Sequence, residues 1–198
     1  VPFLDRLSFL GIYSNNLDEF FRVRVASLSS ILEEPSLDKI SHHNLKKSLK
    51  TINKLNEKYS KEYTEAVREV RACLETHGIY ILDNESLDEE QQDFLTHFFY
   101  DKLNGSVNPI WLSNINDITT LEDNRIYLMV EKKDNDARGK TRYAIVKVPD
   151  RQFGRWVILP SSEGRSNIMY LDDVVRFCLP LIFLGLKDST YTAYSFKF

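Results

Sequence analysis

The chain carries, at residues 9–25, the stretch Phe9-Leu10-Gly11-Ile12-Tyr13-Ser14-Asn15-Asn16-Leu17-Asp18-Glu19-Phe20-Phe21-Arg22-Val23-Arg24-Val25. Polar and charged side chains stand here between two apolar runs. Asn16 followed three residues later by Glu19 is a variant of the helix capping box, in which the first side chain accepts hydrogen bonds from amides of the first turn. The pattern therefore predicts a turn at residues 11–14 that ends one helix, and a second helix from Asn16 onward with a broad apolar face.

The same stretch resembles the N-terminal signature of the histidine-phosphorylating polyphosphate kinases, a run of the form F-L-(small)-I-(Y/F)-S-(N/S)-N-L-D-E-F-(aromatic)-x-V-R. Almost every position matches, and residues 2–7 fit as well. The resemblance implies that Asn16 contacts the adenine of bound ATP. An amide offers the donor and the acceptor that an adenine edge requires. Capping and adenine binding compete for one side chain, so both interpretations stay open. Residues that we expect to support the pocket are Asn15, Asp18, Glu19 and Arg22.

Composition indicates a soluble globular protein of one or two domains: 198 residues, 42% hydrophobic and 28% charged, with a net charge of −3. No apolar run approaches the roughly 18 residues of a membrane-spanning helix, and the charge is too near neutral to favour nucleic acid. Cys73 and Cys178 lie in apolar helical patterns typical of buried thiols in a reducing compartment. The histidines show no zinc-site spacing. We expect a cytoplasmic location, with peripheral membrane association left open.

A long helix is predicted over residues 45–74, where apolar residues recur at intervals of three and four, the rhythm of packed antiparallel helices. Its lysine run, residues 46–61, is typical of a solvated helix face, with a track for a polyanion as the alternative. Gly78 supplies the left-handed cap that ends the helix. Ser86 to Glu89 has the form of a capping box, so a further helix begins there. Residues 1–104 are thus predicted to form an antiparallel helical bundle.

Residues 105–198 change to a β-rich composition, and the predicted fold class is α+β. Residues 125–131 and 142–148 form a hairpin, residues 156–160 a third strand, and residues 193–198 a strand cut off by the end of the chain. A helix starts at Asp172 and is kinked or shortened by Pro180. Residues 79–82 form a short extended link. This part resembles the middle, or head, domain of the same family, incomplete at its C-terminus, through residues 143–149, Phe153, Arg155 and residues 170–176.

Kinases of this family move the γ-phosphate of ATP to a histidine and then to a growing polyphosphate. The chemistry needs an activated histidine, Mg²⁺ and a tunnel lined by Arg and Lys. The resemblance implies that these groups lie in C-terminal domains outside these 198 residues. We therefore expect no catalytic and no metal-binding residue here, and an inactive fragment of an active full-length enzyme. Side chains without an obvious activating partner in the sequence are His42, His43, His77 and His97.

The resemblance implies a fragment that shapes the adenine pocket and contributes homodimer or higher homo-oligomer contacts, in a protein that binds ATP or ADP and polyphosphate but no nucleic acid. Arg22 and Arg24 could meet phosphate or pair with Asp18 or Glu19. The alternative function is a non-catalytic adaptor that binds a protein partner or anionic head groups.

The mixed-charge hairpin loop is interpreted as a solubilising loop, with a partner or polyanion surface as the alternative. Its charged residues are Lys132, Lys133, Asp134, Asp136, Arg138, Lys140 and Arg142.

Overall fold

The computed structural model describes residues 2–114, 121–135, 139–183 and 189–198. It divides into two compact units, Val1–His77 and Gly78–Phe198. The regular secondary structure in the described part of the first unit is all helical, and the second unit combines sheets with helices, so the predicted α+β class is confirmed. Residue 104, after which the sequence predicts the domain boundary, lies inside the second unit. The reason is that Leu95 and Leu103 are fully buried in the core that also holds the sheet residues Leu128 and Met169.

The first unit begins with an uninterrupted helical run. Its elements are α1 (Phe3–Glu19), a π-helical segment (Phe20–Val25), α2 (Ala26–Leu32) and α3 (Lys39–Thr76). The expected turn at residues 11–14 is therefore wrong, and Asn16 caps no helix, because it lies inside α1.

Gly11 does not end the helix. A glycine in a helix interior costs only about 1 kcal/mol, and Leu10, Leu17 and Phe21 lie half-buried along one face across the expected break. The broad buried face expected after Leu17 is narrower than predicted, since Phe20 and Val23 are exposed.

Helix α3 has clear chemical boundaries. The carboxylate of Asp38 accepts hydrogen bonds from the amides of Ile40 and Ser41, at 2.9 and 3.0 Å, and so satisfies two free donors of the first turn. At the other end Gly78 adopts φ +77, the left-handed conformation predicted from the sequence. The predicted long helix is confirmed and extends further toward its N-terminus.

The second unit contains two sheets. Its strands are β1 (Ile79–Leu82), β2 (Pro109–Trp111), β3 (Ile126–Asp134), β4 (Thr141–Lys147), β5 (Trp156–Leu159), β6 (Ser166–Tyr170) and β7 (Ser189–Lys197). One sheet has the order β1-β6-β5, with β1 parallel and β5 antiparallel to β6. The other is antiparallel in the order β2-β4-β3-β7. The predicted hairpin and C-terminal strand are confirmed. The expected extended link at residues 79–82 is instead a paired strand, and β6 is a strand that the sequence reading missed.

Helices cover the sheets of this unit. They are α4 (Glu89–Phe98), which continues into a π-helical segment (Phe99–Leu103), α5 (Asp150–Phe153), α6 (Leu171–Phe177) and α7 (Leu179–Ile182); a 3₁₀ turn spans Leu112–Asn114. Helix α6 begins beside Asp172 and ends before Pro180, as predicted. Across the described ranges, no helix is both long and apolar enough to cross a membrane.

The start of α4 differs in detail from the prediction. Asp88, not Ser86, is the N-cap: its carboxylate accepts from the amide of Gln91 at 2.9 Å, and the Gln91 side chain accepts from the amide of Asp88 at 3.2 Å. Ser86 instead bonds the backbone and side chain of Asp83 in the preceding turn. The sequence contains two overlapping capping patterns, and the helix uses the second.

Candidate functional site

Asn16 lies on the exposed surface of α1, in the middle of an apolar strip. Helix geometry places residues four and seven positions away on the same side. These are Ile12 and Phe20, one turn to either side and 54% and 39% exposed, and Phe9, 61% exposed. We call Phe9, Ile12, Asn16 and Phe20 the Asn16 strip. A single amide flanked by exposed apolar side chains provides the two features that a purine requires, a surface to stack on and a donor–acceptor pair for its edge.

The other side chains expected at the pocket are spread around α1. Successive helical residues are turned by about 100°, so Asp18 points roughly 160° away from Asn16. Glu19 lies one turn from Asn16, on the same side. Its carboxylate accepts a hydrogen bond from Arg22 at 2.5 Å, so the sequence-based alternative in which Arg22 pairs with Glu19 describes the structure. Glu19 thus lies on the same side of α1 as Asn16 and is paired with Arg22, whereas Asn15, Asp18 and Arg22 itself lie on other faces.

A groove of about 500 Å³ lies between α1 and α3, next to the Asn16 strip. The Tyr13 and Tyr63 rings stack across it with centroids 5.3 Å apart, and the Tyr63 hydroxyl donates to the carbonyl of Leu10 at 3.5 Å. Phe9 belongs to both the groove and the strip. The sequence analysis did not predict this groove. The signal was present, because Phe9 and Tyr13 on α1, and Tyr59 and Tyr63 on α3, are each four residues apart. The groove is lined by Arg6, Phe9, Leu10, Tyr13, Tyr59, Glu62, Tyr63, Ala66 and Val70.

Charged groups at the groove neutralise one another. The Arg6 guanidinium forms an ion pair with Glu69, and Glu62 adds a carboxylate to the lining. The lining is otherwise largely apolar. The groove therefore suits an apolar or aromatic group better than a phosphate, which would need unpaired cations or free amides.

Two of the four histidines are held by their own helices. The Nδ1 atom of His77 lies 2.8 Å from the Cys73 carbonyl oxygen, and its ring stacks on Phe3. The Nδ1 atom of His97 lies 2.8 Å from the Asp93 carbonyl oxygen. Among the described residues, no three His, Cys, Asp or Glu side chains converge as a metal site.

The loop end of the β3–β4 hairpin contains a compact ion cluster. Lys132 is 1% exposed and pairs with Asp134, while Arg142 lies 3.3 Å from the other oxygen of that carboxylate. The Arg142 guanidinium also sits 4.8 Å from the centre of the Trp111 ring. These two cations of the predicted basic loop thus stabilise the sheet. Lys133 and Lys140 are exposed, and Asp136 and Arg138 lie outside the described residues.

Comparisons with known proteins find matches over almost the whole chain. The polyphosphate kinase N-terminal domain matches residues 1–82, and the polyphosphate kinase middle domain matches residues 90–198. A polyphosphate kinase of Vibrio cholerae is 34% identical and is aligned with 100% of this chain and 28% of its own length. One from Escherichia coli K12 is 35% identical, with 99% and 28% covered.

A solved structure agrees with these sequence relationships. The crystal structure of a polyphosphate kinase from Porphyromonas gingivalis superposes with a TM-score of 0.80 and 25% identity, over 97% of this chain and 28% of that one. The chain thus spans less than a third of the relatives that it matches. The resemblance drawn from residues 9–25 is confirmed, and the chain belongs to the polyphosphate kinase family, of which it carries the N-terminal and middle domains.

Proposed function

We propose that this chain is the N-terminal part of an enzyme that reversibly transfers the γ-phosphate of ATP to polyphosphate through a phosphohistidine. In that reaction the bond between the γ-phosphorus and the oxygen bridging to ADP breaks, and a phosphorus–nitrogen bond to histidine forms. A terminal oxygen of polyphosphate then attacks the phosphorus, the phosphorus–nitrogen bond breaks, and the free histidine is restored. The histidine and the Mg²⁺ ligands belong to the rest of the longer protein. Membership of the family supports the proposal, and the single structural observation that carries it is the exposed Asn16 strip.

Within that enzyme, Asn16 hydrogen-bonds the adenine edge. Its position supports this role because the side chain is exposed and caps no helix, which removes the competing structural explanation. Phe20 and Ile12 provide apolar surface one turn to either side. Losing one such hydrogen bond should weaken ATP binding by about 1–2 kcal/mol, or roughly 5- to 30-fold.

The test uses the complete natural protein. Wild type, Asn16→Ala and Asn16→Asp are assayed for polyphosphate synthesis over a range of ATP and GTP concentrations. Aspartate keeps the size and the acceptor of Asn16 but lacks the donor, so both variants should raise KM for ATP and reduce the preference for ATP over GTP, with a smaller effect on kcat. Asn44→Ala, which removes an exposed amide from α3, is the matched control.

Each outcome is informative. An unchanged KM in a stable Asn16→Ala protein would place adenine recognition elsewhere while leaving the enzyme assignment intact. If the well-folded, full-length wild type makes no polyphosphate, the enzyme proposal fails and the adaptor alternative takes its place. An intact-mass measurement of the natural protein separates the two cheaply, since the enzyme requires a chain far longer than 198 residues.

We also propose that the second unit contributes homodimer contacts. The outer face of the β1-β6-β5 sheet supports this assignment, because its edge strand β5 exposes Trp156 and Ile158, the latter 73% exposed. Apolar side chains on an exposed sheet edge favour association with another chain. Ile158→Glu in the full-length protein should lower the molar mass measured by light scattering, whereas Thr192→Glu on the other sheet should not. An unchanged mass for Ile158→Glu would remove this face from the dimer contact.

A further inference from the structure

Helix α3 carries a continuous row of lysines along one side. With about 100° between successive residues, they fall within a sector of roughly 120°. Leu45, Leu49 and Ile52, which are half-buried, lie on the other side of the helix. We call these lysines the lysine stripe. Its members, all exposed, are Lys39, Lys46, Lys47, Lys50, Lys54, Lys58 and Lys61.

The stripe concentrates positive charge in a chain that is acidic overall. Residues 39–61 hold seven lysines and one glutamate, a formal charge of +6, while the whole chain carries −3. In residues 62–76, the rest of the same helix, four glutamates and two arginines give −2. At 1.5 Å per residue the stripe is roughly 33 Å long. A positive potential of this length attracts an extended polyanion, not a single small anion.

The stripe is not balanced by acidic neighbours. Within the described ranges, Lys58 with Glu62 at 3.7 Å is the one ion pair that its lysines make. Lys46, Lys50 and Lys54 follow one another at intervals of four residues, where like charges face each other and destabilise a helix. A face that only needed to be solvated could alternate acids with bases, as the second half of α3 does with Glu65 and Arg68. The arrangement therefore favours a ligand that supplies the missing negative charge.

We propose that the lysine stripe binds the phosphate backbone of a linear polyphosphate chain. This inference rests on the proposed function, in which polyphosphate is a substrate and product of the full-length enzyme. The stripe lacks the arginine forks that read base edges, and the tyrosine that it contacts, Tyr59 with its ring centre 5.5 Å from the Lys58 ammonium, belongs to the lining of the groove between α1 and α3. Lysine ammonium groups act as point charges, which suits a polymer that is phosphate throughout. A chain held here would stay at high local concentration after each addition.

The experiment measures binding of long-chain polyphosphate and of tripolyphosphate to the full-length protein over a series of salt concentrations. The test variant combines Lys46→Gln, Lys50→Gln and Lys54→Gln, which keep helix propensity and remove three charges. Each lost phosphate contact should lower the slope of log affinity against log salt by about 0.7–0.9, so the slope should fall by about 2 and affinity for the long chain by about tenfold. Tripolyphosphate binding should change much less.

Two control variants test whether the change in slope is specific to the lysine stripe. Lys102→Gln, Lys133→Gln and Lys140→Gln together remove the same charge from exposed sites in the second unit, and should leave the slope unchanged. Glu57→Gln removes the one acid within the stripe and should tighten binding of the long chain. Thermal unfolding verifies that every variant is folded. Initial rates with saturating ATP and a short primer should stay at the wild-type level, because the stripe takes no part in the chemistry.

The outcomes separate this inference from the function on which it rests. If the wild type synthesises polyphosphate but the stripe variant keeps its affinity and slope, the stripe is only a solvated face and the inference is overturned. If the wild type makes no polymer, the proposed function fails, while binding of added polyphosphate still reports on the stripe. A variant that loses affinity for single-stranded RNA but not for polyphosphate would also overturn the inference in favour of a nucleic-acid surface.

Discussion

The ammonium group of Lys132 donates a hydrogen bond to the hydroxyl of Ser189 at 2.8 Å, and so joins β3 to β7 at one end of the four-stranded sheet. Ser189 in turn donates to Asp134 at 3.2 Å, and Lys132 forms an ion pair with the same carboxylate. Lys132 points inward because Leu128, Val130 and Lys132 alternate on the buried face of β3. A buried cation of this kind is tolerated only when its donors are satisfied.

Lys132→Ala should therefore loosen the β3–β7 pairing. The substitution removes a buried aliphatic stem and a charge-assisted contact, and we expect the free energy of local opening to fall by about 2–4 kcal/mol. Native-state hydrogen exchange of β3 and β7 amides measures this. Lys133→Ala, one residue along on the exposed side, should change the same amides by less than about 0.5 kcal/mol. Equal protection in both variants would show that the ion cluster is unimportant.

Asp134 should titrate at unusually low pH. The hydrogen bond from Lys132 is the main cause that holds its pKa below the ordinary value, with smaller contributions from Ser189 and the charge of Arg142 and some opposition from burial. Because the pKa is lower in the folded than in the unfolded state, the cluster stabilises the fold above about pH 4 and loses this effect as pH falls through the folded pKa. Carboxyl-carbon NMR shifts should give the low midpoint, and Lys132→Met should raise it. A midpoint near the ordinary value in wild type would contradict the contact.

Two overlapping capping patterns, beginning at Ser86 and at Asp88, precede α4, and two substitutions test which of them caps the helix. Asp88→Ala removes the side chain that accepts from the Gln91 amide and should destabilise α4 by about 1 kcal/mol, measured by hydrogen exchange of its first-turn amides. Ser86→Ala disturbs the turn at Asp83 but leaves that cap in place, so the same amides should change less. The reverse order of effects would restore Ser86 as the cap.

Gly78 should be far less tolerant of alanine than Gly105. Both adopt a positive φ, +77 and +87, which costs an L-residue about 1 kcal/mol or more. A Cβ at Gly78 would also lie 2.7 Å from the Gly164 carbonyl oxygen, whereas one at Gly105 would meet nothing within 4 Å. We expect Gly78→Ala to cost at least about 2 kcal/mol more than Gly105→Ala, because two backbone segments must separate. Similar melting temperatures for the two variants would argue against the close approach.

The two cysteines should differ in reactivity. Burial raises the pKa of the Cys178 thiol to about 12, so almost no thiolate forms near neutral pH, while Cys73 is only half-buried. Iodoacetamide at pH 8 followed by peptide mass spectrometry should label Cys73 first and Cys178 only after denaturant is added. Rapid native labelling of Cys178 would show that the core around α6 opens readily.

Elements whose signals are local were predicted well from the sequence. The long α3, the β3–β4 hairpin and the break before Pro180 each follow from spacing, β-branched content or a residue with restricted backbone angles. Asn16 shows where local chemistry misleads. Its capping pattern is real in composition, but the half-buried face that runs through Leu10 and Leu17 continues across it, and packing overrides the pattern.

The candidate site, like the fold, was predicted only in part from the sequence. Residues 9–25 identified the family and selected Asn16, because a long string of mixed residue types is specific by itself. The separation of Asn16 from Asp18 and the groove between Tyr13 and Tyr63 emerged only when α1 proved to be one continuous helix. The burial of Lys132 could not be predicted either, since the expected strand ended one residue before it.

By itself, then, the sequence determined the family, the α+β class, the long helix α3 and the β3–β4 hairpin, whose partners are close along the chain. Tertiary structure decided the position of the division between the units, the parallel pairing of Ile79 with Ser166 and the ion cluster at Ser189. The physical reason is the range of the interactions. Propensity and periodicity act over a few residues, whereas strand pairing and burial depend on which distant segments exclude water together.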